Sequence, residues 1–320
     1  MKKVINLSQL AEKLKSQDSL ALFCHIRPDG DCLGSALALC LALKSLGKKA
    51  TVFCDDLIPE RFAFLPITAQ VKNQLDGQYS AFVAVDCGDL TRLGNFANQF
   101  MEHKNTFNID HHISNVHYAK CNYINCLPSN AQNVYDIICQ LKVKITSEIA
   151  NLLAMGIMTD TGNFRHKNVT PETFYTAGKL VELGADINTI YYHMFTAQSK
   201  NRAKLFGTVM QKIRYFHDGR FAIATVSLFD LENCSAKPDE TEGFIDFVMG
   251  ITGVEVGACI LQIQENKFKI SFRSKSANVN AVASDFGGGG HVLASGCQIF
   301  GEYEEVVDKI VFSVGRQLPE

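Results

Sequence analysis

Short apolar segments alternate with helical patterns through the first half of this chain of 320 residues. Four segments have the length and composition of buried strands: 20–26, 49–54, 81–86 and 106–109. Helical patterns occupy 31–46, 130–141, 146–158 and 171–183. A shorter helix is predicted over 7–16 with Ser8 as its N-cap. This alternation predicts an α/β fold whose mostly parallel sheet is flanked by helices.

The second half of the chain follows a different pattern. It begins with a largely helical stretch over 186–214 and continues with strand-like segments at 221–228, 256–264 and 268–272. We therefore expect a first α/β domain over 1–190, a helical linker over 191–214 and a smaller second α/β domain over 215–320.

The charge balance restricts the partners of this protein. Lys and Arg number 31 against 33 Asp and Glu, so the net charge is −2. No extended basic surface follows from this composition, which argues against tight binding of long duplex nucleic acid through its backbone. A short phosphorylated substrate needs only a local basic pocket and stays compatible with it.

The 11 cysteines are scattered singly, without a Cys-x-x-Cys pair, and many lie in apolar runs. They predict free thiols that behave as small hydrophobic residues rather than a disulfide framework. The N-terminal stretch has no apolar signal core, and the longest apolar run, 36–43, is too short to span a bilayer. We expect a cytoplasmic protein without a membrane partner.

Acidic and histidine residues stand where the predicted strands and helices end. They are His25, Asp29 and Asp31 after the first strand, Asp86 after the third, Asp110, His111 and His112 after the fourth, and Asp160 after a helix. Because the carboxyl ends of parallel strands meet at one edge of a sheet, these side chains are expected to converge. Together they offer enough oxygen and imidazole ligands for two metal ions.

Each of these residues also has a plainer explanation when taken alone. Asp31 fits the N-cap of the following helix, Asp86 and Asp160 fit loop or helix caps, and adjacent histidines are often surface residues. Four independent caps at the same edge of one sheet explain the pattern less well than one shared metal site. Consecutive side chains cannot all point the same way, so one histidine would face metal and the other the substrate.

Four segments resemble, in the same order, the motifs of the DHH phosphoesterase family. They are HIRPDGDCLGS at 25–35, VDCGD at 85–89, IDHH at 109–112 and GIMTDTGNFR at 156–165. FRS at 272–274 and GGGGH at 287–291 are similar to the substrate-binding motifs of the DHH-associated C-terminal domain. The resemblance covers nearly the whole chain and implies a DHH catalytic domain followed by a DHH-associated domain.

The resemblance implies a role for each polar residue. One divalent ion, usually Mn²⁺ in this family with Mg²⁺ as the alternative, would be held by His25, Asp29 and Asp86. A second ion would be held by Asp31, Asp86, His111 and Asp160. His112 would contact the phosphate or protonate the leaving oxygen, and Asp110 would orient a neighbouring histidine. Substrate contacts are expected from Arg165, Arg273, Ser274, Gly288, Gly289, Gly290 and His291.

The chain departs from the family pattern at two places. SNAQ at 129–132 replaces a more usual Ser/Thr-rich stretch that ends in Glu, and Ser295 stands where Ala is common. Neither departure removes an expected metal ligand. The first lies close to the expected active site and could change packing or substrate contacts there.

The length and two-domain layout are most similar to the branch of the family that acts on short oligonucleotides. That branch hydrolyses nanoRNA to mononucleotides and dephosphorylates 3′-phosphoadenosine 5′-phosphate (pAp). The motifs leave open a cyclic- or linear-dinucleotide phosphodiesterase, a polyphosphatase and a RecJ-like single-strand exonuclease. A non-catalytic nucleotide-binding protein would need missing ligands, and none is missing. A homodimer is compatible with the sequence.

Overall fold

The computed structural model describes residues 3–318 and divides the chain into two compact units between Ala197 and Gln198. The strands of the first unit are β1 (Lys3–Val4), β2 (Ser19–Phe23), β3 (Lys49–Phe53), β4 (Ala81–Val85), β5 (Thr106–Asp110) and β6 (Cys121–Ile124). Its helices are α1 (Leu7–Lys15), α2 (Gly30–Ser45), α3 (Ala97–Glu102), α4 (Asn130–Gln140), α5 (Ser147–Asp160), α6 (Pro171–Glu182) and α7 (Ile187–Tyr191). 3₁₀ segments occupy Glu60–Phe62, Pro66–Gln70 and Leu90–Phe96, and a π-helical turn occupies Tyr192–Thr196.

All neighbouring strands of the first sheet are parallel, in the order β1-β6-β5-β4-β2-β3. The predicted α/β fold with a mostly parallel sheet is confirmed. In the central register Phe23 pairs with Ala84, and Val85 pairs with Ile109. The carboxyl ends of β2, β4 and β5 are therefore next to one another.

Helix α2 is buried along most of its length and packs closely on α5 and α4. A Cβ on Gly34 would lie 2.3 Å from the carbonyl oxygen of Leu152, and one on Gly156 would lie 2.6 Å from Cβ of Ala131. Only glycine permits backbones to approach so closely at these two positions. This packing brings the first turn of α2 beside the last turn of α5, which places Asp31 near Asp160.

The strands of the second unit are β7 (Arg214–Phe216), β8 (Phe221–Val226), β9 (Val256–Gln264), β10 (Lys267–Ser274), β11 (Gly289–His291) and β12 (Ala294–Phe300). Its helices are α8 (Lys200–Met210), α9 (Leu228–Cys234), α10 (Phe244–Gly250), α11 (Val279–Ser284) and α12 (Tyr303–Gly315), with a 3₁₀ turn at Pro238–Thr241. The sheet order is β11-β12-β10-β9-β8-β7. Only the β8–β9 pair is parallel.

Two apolar cores lie on the two faces of the second sheet. Helices α11 and α12 pack against one face through the inward side chains of β8, β9 and β10. Helices α8, α9 and α10 pack against the other face, mainly over β8 and β9. The part of this second face that belongs to β10, β11 and β12 is not included in that core.

Several local predictions were wrong in detail. Asn6, not Ser8, caps α1, because its side chain accepts a hydrogen bond from the N–H of Gln9. The strand predicted over 221–228 ends at Val226, since Ser227 caps helix α9. Strands β1, β6, β7, β11 and β12 were not predicted. The first four have only two to four residues, and β12 contains Gly296 in its interior. The division between the units falls inside the stretch expected to be a linker.

In the part of the chain that the structure describes, no helix is both long and apolar enough to cross a bilayer.

Candidate metal centre

His25 follows β2 and is almost fully buried. Its Nδ1 lies 2.8 Å from the carbonyl oxygen of Ile26, and its Nε2 is directed at two carboxylates. Nε2 is 3.6 Å from Oδ2 of Asp29 and 3.6 Å from Oδ2 of Asp86. Burial would lower the pKa of His25, but Cys32 and the two carboxylates outweigh it and raise the pKa well above its ordinary value.

Asp29 has two roles in the loop between β2 and α2. Its Oδ1 accepts hydrogen bonds from the N–H groups of Asp31 and Cys32, so Asp29 is the N-cap of α2. Its Oδ2 faces His25. The alternative in which Asp31 caps this helix is wrong, because Asp31 lies within the first helical turn.

Asp31 is fully buried and is held by the start of another helix. Its Oδ2 accepts a hydrogen bond of 2.6 Å from the N–H of Asn130, and its Oδ1 accepts one of 2.8 Å from the N–H of Ala131. Ser35 Oγ donates a third hydrogen bond, of 3.2 Å, to Oδ1. Burial, reinforced by the negative charges of nearby carboxylates, raises the pKa of Asp31 well above its ordinary value.

These contacts locate the unusual SNAQ stretch. Ser129 caps α4, and the next two backbone N–H groups bind the Asp31 carboxylate. Gln132 is buried, and its Oε1 accepts a hydrogen bond from Oγ1 of Thr173. The second departure, Ser295, donates from its hydroxyl to the carbonyl of Val279 in the other unit.

Asp86 follows β4 and has a φ of 56°. This value lies in the left-handed region of backbone conformation, which residues other than glycine rarely adopt. Such a conformation costs about 1–2 kcal/mol. Asp86 Oδ1 is buried, and no donor among the described residues makes a hydrogen bond to it. A buried carboxylate oxygen without a donor is costly unless a cation occupies the space in front of it.

The surroundings of Asp86 favour its charged form. Its Oδ1 is 3.4 Å from Nε2 of His111, and its Oδ2 is 3.6 Å from Nε2 of His25. Burial would raise the pKa of Asp86, but the two imidazoles outweigh it and hold the pKa well below its ordinary value. The two oxygens of one carboxylate therefore face two different histidines.

His111 connects the end of β5 to helix α5. Its Nδ1 lies 2.9 Å from the carbonyl oxygen of Leu127, which leaves Nε2 directed at carboxylates. Nε2 is 3.3 Å from Oδ2 of Asp160 and 4.0 Å from Oδ2 of Asp31. Burial and the negative charge of Asp86 raise the pKa of Asp160 to about 7. Burial would lower the pKa of His111, but Asp86 and Asp31 raise it to about 10.

His112 packs edge-on against the ring of His111, with the ring centroids 4.6 Å apart, and pairs with Asp110. Its Nδ1 lies 2.8 Å from Oδ1 of Asp110, which is fully buried. The other oxygen of Asp110 accepts a hydrogen bond of 2.5 Å from the side-chain amide of Asn115. The hydrogen bond from Asp110 raises the pKa of His112. With its proton on Nδ1 bound to Asp110, His112 keeps its Nε2 free for a substrate.

The described residues contain three groups in which ligand atoms lie within 4.8 Å of one another. The groups are His25 with Cys32 and Asp86, Asp86 with His111 and His112, and Asp31 with His111 and Asp160. Ligand atoms bound to one ion at about 2 Å lie roughly 3–4 Å apart, so these groups are close to that spacing. They include Cys32 and His112 beside the expected ligands, and Asp29 belongs to none of them. Carboxylate and imidazole groups suit divalent metal ions, so the donor set fits the expected centre.

Three contributors were missed at the level of sequence. Asn115 holds Asp110, Arg92 places Nη2 3.0 Å from Nδ1 of His25, and the N–H groups at the start of α4 hold Asp31. Asn115 lies only three residues after His112, and this closeness in sequence was the one local indication that it belongs to the site. The other two contacts join residues 67 or more positions apart.

The expected substrate residues lie in both units. Arg165 is exposed, and its Nε donates to the carbonyl of Gly162 in a turn where 162–164 all have positive φ. In the second unit Arg273 and Ser274 end β10. The glycine motif leads into β11, and a Cβ on Gly288, directly before this strand, would lie 2.2 Å from the carbonyl oxygen of Gly296. His291 is exposed at the end of β11.

Comparison with known proteins gives matches along nearly the whole chain. Residues 19–157 match the family model described as DHH family, N-terminal domain, and residues 218–317 match the DHHA1 domain. A protein of Thermus thermophilus named bifunctional oligoribonuclease and PAP phosphatase NrnA is 30% identical over 97% of this chain and 93% of its own. A Bacillus subtilis protein of the same name is 23% identical over 92% and 93%.

Solved structures share the fold. An exopolyphosphatase-related protein from Bacteroides fragilis has a TM-score of 0.85 and 23% identity, covering 97% of this chain and 95% of its own. The exonuclease RecJ bound to manganese has a TM-score of 0.56 and 14% identity, covering 99% and 96%.

Proposed function

The chain belongs to the DHH family, with a DHHA1 domain after its DHH domain, and from this premise we propose that it is a two-metal phosphoesterase. Its substrates would be short oligoribonucleotides, cleaved to mononucleotides, and pAp, which loses a phosphate. The relatives named as bifunctional oligoribonuclease and PAP phosphatase support this choice, because they align over more than nine-tenths of both chains.

The proposed centre holds two divalent ions, Mn²⁺ or Mg²⁺. His25, Asp29 and Asp86 would hold one ion, and Asp31, Asp86, His111 and Asp160 the other. The observation that carries this proposal is Asp86, whose buried Oδ1 lacks a donor while its two oxygens face two histidines. When bound, such ions neutralise charge on the phosphoryl group and make a nucleophile from water at neutral pH.

The protein side chains would complete the chemistry. His112 is supported by Asp110, and its pKa is raised, so it is suited to donate a proton from Nε2 to the leaving oxygen. Asp110 acts through His112 as a positioning residue, because both of its oxygens already accept hydrogen bonds. Burial of Asp31, Asp86 and Asp110 excludes water from their carboxylates and strengthens their interactions.

Substrate binding is proposed for Arg165 and for the motifs of the second unit. Arg273 offers a planar guanidinium for bidentate contacts to phosphate. Gly288, Gly289 and Gly290 allow close approach of an anion to the backbone, with Ser274 and His291 as further donors. A cytoplasmic location is part of the proposal and is supported by the 11 free thiols.

The direct test is Mn²⁺-dependent release of mononucleotides from a labelled RNA trinucleotide and of phosphate from pAp. Asp31→Ala and His111→Ala should abolish both activities while the proteins stay folded. Asp308→Ala, which removes an exposed carboxylate on α12, is the matched control and should keep full activity. Full turnover by both folded site variants would refute the two-metal proposal.

A panel of other phosphate-containing substrates separates the alternatives. Long single-stranded DNA, cyclic di-AMP, its linear product and polyphosphate are compared with the trinucleotide at equal enzyme and metal concentrations. Degradation of long DNA without release from the trinucleotide would assign the chain to RecJ-like chemistry. Preference for a dinucleotide would point to a dinucleotide phosphodiesterase.

A further inference from the structure

Strand β10 presents polar side chains to one face of the second sheet. Lys269, Ser271 and Arg273 alternate along β10 with three apolar residues, and successive side chains of a strand point to opposite faces. The alternate residues Phe268, Ile270 and Phe272 are buried under α11 and α12. The three polar residues therefore lie on the face that these two helices do not cover.

A cavity of about 550 Å³ lies on this polar face. Ligand sites commonly measure about 300–1,000 Å³, so its size suits a nucleotide. Leu261 and Ile263 of β9 supply apolar surface next to Lys269, Ser271 and Arg273 of β10. The opposite wall is the segment around the 3₁₀ turn Pro238–Thr241.

Hydrogen bonds hold the wall of this cavity in place. Arg202 of α8 donates from Nη1 to the carbonyl of Glu240 and, at 2.6 Å, from Nη2 to the carbonyl of Glu242. Ser199 donates its hydroxyl to the Glu240 carboxylate. The cavity is therefore formed before any ligand binds, which reduces the entropy lost on binding.

The lining of the cavity includes two cations, Lys269 and Arg273 on β10, and two acidic residues, Asp239 and Glu242, on the opposite wall. Other basic residues of this unit form ion pairs, such as Lys212 with Asp230 and Arg214 with Glu304. Within residues 3–318, neither Lys269 nor Arg273 has a carboxylate oxygen within 4 Å. Arg273 donates from Nη1 only to the carbonyl of Phe272.

A second hollow, of about 470 Å³, adjoins the first. Lys269 and Ser271 line both hollows, and the second is also lined by Gly287 and Gly288 of the glycine motif. The two residues thus lie between the proposed phosphate-binding glycines and the larger cavity.

We propose that the larger cavity binds the second nucleotide of a short oligonucleotide. Its base would rest on Leu261 and Ile263, and its phosphodiester would contact Lys269 and Ser271. The proposal rests on the function proposed above and extends it to substrate selection. Because pAp has a single nucleoside, it would not fill this cavity, and the cavity would favour oligonucleotides only.

Lys269→Ala tests the phosphate contact. We expect kcat/KM for a trinucleotide to fall roughly tenfold, the effect of a lost charge-assisted hydrogen bond, with less than about a twofold change for pAp. The slope of log(kcat/KM) against log[salt] for the trinucleotide should decrease by roughly 0.7. Lys267→Ala is the matched control, because Lys267 lies on the same strand but lines neither hollow. Its ammonium lies instead 5.1 Å from the centroid of the Phe300 ring.

Ile263→Asp tests the base contact independently, by placing a negative charge on the apolar surface. It should also lower trinucleotide turnover selectively, with circular dichroism and melting unchanged. Equal losses for trinucleotide and pAp, or none for either variant, would overturn the second-nucleotide cavity while the proposed function stands. Absence of trinucleotide and pAp hydrolysis by the wild-type protein would instead overturn both.

Discussion

The buried carboxylate of Asp31 accepts a 2.6 Å hydrogen bond from the backbone N–H of Asn130, 99 residues further along the chain. Asn130 is the first residue of α4, and the N–H groups of a first helical turn have no partner within the helix. A carboxylate at this end is also favoured by the helix dipole. Helix α4 therefore orients a proposed metal ligand through its backbone.

Replacing Asn130 with proline removes the backbone N–H that binds Oδ2 of Asp31 and leaves the N–H of Ala131 in place. Proline is tolerated at the first helical position, and Ser129 before it is already extended, so the helix should persist. We expect the Mn²⁺ concentration for half-maximal activity to rise roughly 10- to 100-fold, as when an orienting partner of a ligand is lost. Asn130→Ala keeps the N–H and is the control. Equal metal affinities of the two variants would show that this hydrogen bond does not matter.

Asp110→Asn tests whether Asp110 orients His112 for catalysis or contributes to substrate binding. The buried carboxylate holds Nδ1–H of His112, and an amide at this position is neutral and can present its NH₂ group to the ring instead. We expect kcat on the trinucleotide to fall by about 10²–10⁴, the usual contribution of a positioned acid or base, with KM changed little. Steady-state kinetics at saturating Mn²⁺ measure both. A change confined to KM would contradict the role assigned to Asp110.

The stability of the metal-free protein should fall as pH rises. Asp160 has a pKa of about 7 against an ordinary 3.8, and His111 has a pKa of about 10 against 6.5, so both bind more protons folded than unfolded. Stability then decreases with pH, through Asp160 between about pH 4 and 7 and through His111 between about pH 6.5 and 10.

Thermal melting in EDTA should accordingly give a lower Tm at about pH 9 than at about pH 6. Saturating Mn²⁺ should raise the Tm more at the higher pH, because ligands must be deprotonated to bind metal. A Tm in EDTA that rises with pH over this interval would contradict the pKa shifts of the two residues.

Gly156→Ala should disturb the packing on which the centre depends. The new Cβ would lie 2.6 Å from Cβ of Ala131 and 2.7 Å from Oδ1 of Asp31. Overpacking typically costs about 1–3 kcal/mol, which exceeds the gain in helix propensity of about 1 kcal/mol. We expect a lower free energy of unfolding in urea and weaker Mn²⁺ binding.

The matched substitution is Gly178→Ala in helix α6, where a Cβ would meet nothing within 4 Å. This variant should be stabilised by about 0.5–1 kcal/mol and keep its activity. A gain in stability at both positions would show that the α2–α4–α5 contact has room to adjust.

The fold class and the family could be predicted because their signals are local. Apolar runs before His25, Asp86 and Asp110 identify strands, and parallel strands carry such residues to one edge. Strand β6 escaped prediction because Cys121–Ile124 is only four residues long and includes Asn122, which is buried through side-chain hydrogen bonds. The roles of the ligands were inferred from motifs and stay predictions until metal binding is measured.

The sequence by itself determined which side chains stand at the strand ends, and hence the carboxylate and imidazole character of the centre. Only the tertiary structure decided how these atoms are used: Asp31 is held by α4, and Asp86 directs a buried oxygen that accepts no hydrogen bond toward His111. These choices depend on contacts between segments far apart in the chain. Such contacts form only where glycines such as Gly34 and Gly156 let the helix backbones approach closely, and no local pattern specifies that approach.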